Sequence, residues 1–359
     1  MASLVGVQAQ VPDGSGELPA VRARRAPSAP TKREIEDHAV SREPYRDWCP
    51  AYVAGRDRSD PRLTRHDASE DALTVAAIDD GYVGPAGEDA DDPEAVSRST
   101  PILCGRDRKQ RWTYAMAVPC KGAGHPWAVL ELARQMSLAG HRRYVFLSDG
   151  EPAILDYSRT VAKQLAKLTD AECAPETSSK GDSACNGLAE LAVKEVKAKV
   201  RTLAYAVQVL HGIKLHPGHV AVPWLVQYAA ALMNRARRGS DGRTPWELRK
   251  GRQFLQALRP FGERILFLPA GKRHSQLDSG YRDGFFFGVV EGTEEVYVGT
   301  PEGVVKARSF RRVPEDARSD SVGFNRVAGS PWKPAPGGEA PLGNPGAAAA
   351  APAAAAPKV

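Results

Sequence analysis

Between residues 72 and 210 short apolar runs alternate with stretches of helical period, and that alternation narrows the fold more than any other feature of the chain. Ala72 to Ile78 is an apolar run ending in Asp79-Asp80-Gly81, the form of a buried strand stopped by a turn. Ile102 to Gly105 and Trp112 to Val118 read as two further strands, with Arg106 to Lys109 as the hairpin between them. Helices and strands then take turns. Pro126 to Leu138 predicts a helix, Arg143 to Leu147 a strand, Ala153 to Leu168 a helix, Glu172 to Ala174 a short strand, and about Ala184 to Leu210 a long helix. Three strands followed by strand-helix units predict an α/β domain with a mixed sheet and helices on its faces.

The flanks read differently. Residues 1 to 30 are rich in Pro, Ala, Gly and Arg without hydrophobic period, which predicts a disordered arm. Ala221 to Arg238 predicts a helix, and Thr244-Pro245-Trp246-Glu247 opens a short one with Pro in its first turn. Pro260 to Val313 switches to strand-like alternation. There Phe285-Phe286-Phe287, Val296-Tyr297-Val298 and Val304-Val305, punctuated by glycines, suit a small β-barrel. Residues 316 to 359 end in an Ala/Pro tract after Gly337-Gly338 and read as a low-complexity tail.

The formal net charge is +6, and its distribution matters more than its size. Acid concentrates in Glu88 to Glu94, whereas bases concentrate in Lys194 to Arg201, Arg235 to Arg252 and Lys306 to Arg312, a pattern that suits a nucleic-acid partner. The five cysteines are odd in number and contain no CxxC pair, which argues against a disulfide framework and for a reducing, intracellular compartment. The first residues do not form a charged segment leading into an apolar run, and nowhere do 18 apolar residues occur together, so neither secretion nor a membrane partner is expected.

Asp79 and Asp149 each follow an apolar strand directly. If those strands are neighbours, both carboxylates emerge at one end of the sheet, where open α/β sheets place their ligand sites. Glu190 lies inside the long helix and is a third carboxylate that could reach the same point. Three such groups could hold two divalent cations for phosphodiester chemistry. Spacing alone does not separate this from a pair of turn residues and a solvated helix face. On the same helix Ala189, Ala192, Val196, Val200 and Leu203 form an apolar stripe, while Glu190, Lys194, Lys197 and Arg201 line a polar one.

Five blocks in series carry a resemblance. Ser148-Asp149-Gly150-Glu151 resembles the segment around the second catalytic aspartate of copia-type retrotransposon integrases, and Gly181 to Glu190, with Asn186-Gly187 before the glutamate, resembles their third block. Asn234-Arg235, Thr244-Pro245-Trp246-Glu247 and Arg259-Pro260-Phe261-Gly262 follow in the family's order, so that the likeness spans residues 70 to 313. It implies an RNase H-like catalytic core over 70 to 212 with a mixed five-stranded sheet, a helical extension and linker over 213 to 258, and an SH3-like barrel over 259 to 315. Asp149 and Glu190 then correspond to the second and third acids of the triad. Asp79 is favoured over Asp80 as the first, because Tyr82 stands where an aromatic is expected relative to it.

The resemblance further implies two Mg2+ or Mn2+ ions on Asp79, Asp149 and Glu190, and contacts from Lys194 and Lys197 to the phosphates of the element's DNA ends. Arg201 continues their stripe. Arg237 and Arg238, then Lys306, Arg308 and Arg311, are candidate contacts to double-stranded DNA. A homo-oligomer acting in the nucleus is the corresponding expectation. The alternative is a catalytically inactive, decayed or co-opted DNA-binding remnant, suggested by Asp80 in an aromatic's place and by a broken zinc module upstream, with the acidic insert from Gly84 to Asp92 as a further departure. Upstream, over 31 to 64, the family has an H-x3-H and C-x2-C zinc module. Here His38, Arg42, Cys49 and Tyr52 hold those spacings, so Arg42 and Tyr52 replace two ligands. The expectation is a remnant that does not take zinc and folds poorly without it.

Overall fold

The computed structural model describes residues 29–55, 74–84, 99–177, 183–270, 277, 279–293 and 295–337, the side chains of 183–186 excepted. Most of the expected N-terminal arm, the acidic insert, the start of the third motif block and the Ala/Pro tract lie outside the described residues.

The first sheet is the mixed, five-stranded one expected. Its strands are β1 (Thr74–Val83), β2 (Thr100–Asp107), β3 (Thr113–Ala117), β4 (Arg143–Ser148) and β5 (Glu172–Thr177), in the order β3-β2-β1-β4-β5. β1 to β3 are antiparallel neighbours, whereas β4 runs parallel to both β1 and β5. This is the RNase H-like arrangement. Pro126 and Pro152 sit in the first turns of α3 (Pro126–Ser137) and α4 (Pro152–Leu168), where a missing N–H leaves no bond unmade. Both helices cover one face of the sheet through Leu132, Met136, Ile154, Val161 and Leu165, against Ala76, Ile78, Tyr114 and Phe146.

The opposite face is covered by α5 (Ser183–His211) and α6 (Ala221–Ala236). The apolar stripe read on α5 is buried throughout, from Ala189 to Leu203. α6 is buried almost all round, because it also lies against the second sheet. A helix with apolar residues on every side needs cover on every side. One continuous core therefore runs from β2 and β3 through α5 and α6 into the second sheet, and residues 221–236 are an inner layer where an extension and linker had been expected.

That second sheet is antiparallel. It consists of β6 (Arg264–Phe267), β7 (Arg282–Val289), β8 (Val296–Thr300), β9 (Gly303–Ala307) and β10 (Phe310–Arg312), with β10 returning beside β6, an SH3-type strand order. A short helix, α7 (Pro245–Lys250), closed at its start by a Thr244 and Glu247 capping box, precedes it. Phe285, Phe286 and Phe287 are all buried although successive strand residues face opposite ways, since both faces of β7 are covered. Gly288 makes this fit possible: at φ 123° it forms a bulge, and a Cβ there would stand 2.8 Å from the Tyr228 ring.

Three expectations need correction. β1 does not stop at Ile78: pairing with β2 carries it through Asp79-Asp80-Gly81 to Val83. Residues 316–337 are not a low-complexity tail. Phe324, on α8 (Ser321–Asn325), is fully buried in the main core; the Trp224 indole N–H donates to the Gly329 carbonyl at 2.8 Å, and the Val304 N–H to that of Pro334. Residues 29–55 are not poorly folded either. α1 (Lys32–Ser41) and α2 (Pro50–Gly55) dock on α5, where the buried Lys199 ammonium donates to the Ser41 carbonyl and, at 3.3 Å, to Glu43. Burial against a long helix does what a metal does in an isolated bundle.

Candidate metal centre and basic cleft

Period two along a strand sorts the acids of β1. Ala77 and Leu147 pack with Ala189 of α5, and they are register partners on the parallel strands β1 and β4. Asp79 lies two residues beyond Ala77 on β1 and shares its face, below α5, while Asp149 directly follows Ser148, the last residue of β4. Glu190 follows Ala189 on the helix and is exposed. Gly81 continues the same face; a Cβ there would come within 3.3 Å of the Lys197 and Val193 side chains, which would have to give slightly.

Asp80 points the other way. Its carboxylate pairs with Lys121 at 2.9 Å and shares a small hollow with Ile154 and Tyr157 of α4. The two adjacent acids are thus separated by the sheet itself.

The surroundings of Asp79 disfavour its charged form. Burial raises the Asp79 carboxyl above its ordinary range, and the charges of Asp149, Asp80 and Glu190 push the same way, against the Asp80 N–H that donates to Asp79 Oδ1 at 2.8 Å. Asp149 Oδ1 accepts from the Glu151 N–H at 3.1 Å. Among the described residues no three His, Cys, Asp or Glu side chains form a ready-made metal cage. The donor set is nevertheless all oxygen, as hard divalent cations require, and its mutual repulsion is what such a cation would relieve.

Past Glu190 the helix enters a cleft of about 330 Å³. Lys194, Lys197, Lys199 and Arg201 of α5 line it with Arg237 beyond α6, opposite Glu43 and Tyr52. Four of the expected DNA contacts, Lys194, Lys197, Arg201 and Arg237, are thus brought together. Arg237 is also engaged within the protein, its guanidinium 2.7 Å from the buried Glu195. The other four stand elsewhere: Arg238 bonds the Gly242 carbonyl, while Lys306, Arg308 and Arg311 lie on the second sheet or just past its β9 strand. Sequence reasoning missed Lys121, Lys199 and Glu195. A signal existed for the last two, since both are charged residues bordering the apolar stripe of α5; Lys121 comes from a loop and carried none.

At the four spacings compared with a zinc module the Arg42 guanidinium donates to Cys49 Sγ at 3.4 Å, and the His38 and Tyr52 rings lie 6.3 Å apart. Burial, with the Arg42 and Lys199 charges, brings the His38 imidazole down to about 4. A cation ligand set is not what these four side chains make, because the centre is already occupied by a fixed positive charge.

No family model and no curated protein matches the chain. Among solved structures it is similar to the catalytic core domain of BIV integrase, with 17% identity over 49% of this chain and 93% of that one, at a TM-score of 0.31. It is also similar to a chain in the simian T-cell lymphotropic virus intasome in complex with PP2A regulatory subunit B56 gamma, with 9% identity over 67% of this chain and 81% of that one, again at 0.31. At those values neither likeness assigns a role to any residue here.

Proposed function

We propose that the chain is the integrase region of a copia-type retrotransposon and that Asp79, Asp149 and Glu190 form its DNA strand-transfer site. What supports this reading is Asp79 on the α5 face of β1, its anion disfavoured by burial and by the charges of Asp149 just past β4 and Glu190 on α5. Asp79, Asp149 and Glu190 would hold two Mg2+ or Mn2+ ions, which supply activation of the attacking oxygen and charge stabilisation of the leaving one.

The protein's own contribution is position. The Asp80 and Glu151 N–H groups fix one oxygen each of Asp79 and Asp149 and leave the remaining lone pairs free for ligation. Glu190, exposed on its helix, would supply the third carboxylate of the set. Lys194 and Lys197, one and two turns further on, hold phosphates of the donor end so that its 3′-hydroxyl is directed at a target phosphodiester. Double-stranded DNA is the substrate in both roles, and action as a homo-oligomer in the nucleus follows from the same resemblance.

A non-catalytic DNA-binding remnant is the second reading, favoured by carboxylates that do not stand as a closed cage. Mn2+-dependent strand transfer of a labelled duplex by the full chain, beside Asp149→Asn/Glu190→Gln, decides between them. The integrase reading expects product from the wild type and none from the variant. Duplex binding without product from either protein establishes the remnant.

A further inference from the structure

At the opposite end of the first sheet from the carboxylates, α7 is pinned beneath β3 and α3: Arg249 donates to the Leu138 and Gln135 carbonyls and lies 4.0 Å from the Trp112 ring. Between α7, the loop after it and the second sheet runs a groove of about 840 Å³. Its cations are Arg235, Lys250, Arg252 and Arg308, and no carboxylate lines it among the described residues. Arg235 is spoken for, 2.7 Å from Glu291, whereas Lys250, Arg252 and Arg308 have no ion-pair partner among the described residues. The groove therefore keeps a surplus of positive charge facing solvent.

Its floor is apolar and aromatic. Trp246 and Phe254 meet edge to face at 5.1 Å, and the Arg235 guanidinium lies 4.7 and 5.1 Å from their ring centres, so Glu291, through Arg235, holds both rings in place. Leu255 beside them is 87% exposed. Duplex DNA presents phosphates to such a surface and keeps its bases stacked inside, so an aromatic floor gains nothing from it. A single strand offers phosphates to the cations and unstacked bases to the rings at the same time.

We infer that this groove binds a single-stranded nucleic acid chain, with Arg252, Arg308 and Lys250 on the phosphates and Phe254 and Leu255 under the bases. The site shares no residue with the carboxylate centre, so it stands or falls apart from strand transfer.

The test is fluorescence anisotropy of the full chain with labelled oligo(dT), oligo(U) and a duplex, each about 12 nucleotides long. Arg252→Glu/Arg308→Glu should weaken the preferred single strand by at least about tenfold. Phe254→Ala should weaken it while leaving the duplex unchanged. Preference for oligo(U) identifies RNA, and preference for oligo(dT) identifies DNA. The inference is overturned if the charge reversal and Phe254→Ala leave single-strand binding as it was, or if every variant weakens duplex and single strand in equal proportion.

Discussion

Asp79 and Asp80 are neighbours in sequence with opposite surroundings, and the difference has a thermodynamic consequence. Asp80 has a lysine at 2.9 Å, whereas Asp79 is half-buried among acids that raise its carboxyl. A carboxyl raised in the folded state begins to disfavour folding as the pH passes its ordinary value, and does so fully above its folded value, because the anion is better accommodated in the unfolded chain. Asp79→Asn is therefore expected to raise the thermal unfolding temperature at pH 7. The gain should vanish as the pH falls below the ordinary aspartate range, where the wild-type group is neutral in both states. Scanning calorimetry of the two proteins across pH checks it; a variant less stable at pH 7 contradicts the electrostatic account. That the two acids face opposite sides of the sheet was legible from the period of two. Lys121 was not, because a pairing across 41 positions leaves no local pattern.

Elements here are joined by a few buried polar contacts as much as by apolar packing. Glu195 of α5 accepts from Arg106 of β2 at 2.6 Å and from Arg237 past α6 at 2.7 Å. Burial alone would raise its carboxyl, but the two guanidiniums bring it down to about 2. Stability from this group is therefore complete above pH 4.5 and is lost as the pH falls towards 2. Glu195→Gln leaves Arg106 buried without its counter-charge and is expected to cost about 3 kcal/mol near neutrality. Urea unfolding at pH 7 and pH 3 measures it: the deficit should shrink at the lower pH, and an equal deficit at both would show that packing, not charge, is lost. The motif blocks downstream of the triad prove to belong to this same level. Asn234 exchanges two 2.8 Å hydrogen bonds with the Thr113 backbone, tying α6 to the edge strand, and Thr244 and Glu247 cap α7. Those residues advertised a fold rather than a chemistry.

At the scale of the whole molecule, the alternation of runs between 72 and 210 was enough to predict the mixed sheet, since each element there carries its own period. What joins the parts was not readable. Phe324 and Val327 are isolated apolar residues in a polar, glycine-containing stretch, yet both enter the core beneath the second sheet. The docking of α1 and α2 likewise depends on Lys199, a single charge bordering an apolar stripe. Among the described residues no helix is long and apolar enough to cross a membrane. The α5 helix is the common member: it bears Glu190, covers β1 and β4, and forms the floor of the basic cleft.

The central claim is that Asp79, Asp149 and Glu190 act as one cation site on the α5 face. Mn2+ binding followed by electron paramagnetic resonance tests it most directly, with wild type, Asp79→Asn and Asp80→Asn titrated side by side. The account predicts bound Mn2+ in the wild type, unchanged affinity in Asp80→Asn, and at least about tenfold weaker binding in Asp79→Asn, where a charged ligand becomes a neutral one. Equal weakening in both variants, or Mn2+ that remains free in the wild type, would contradict it.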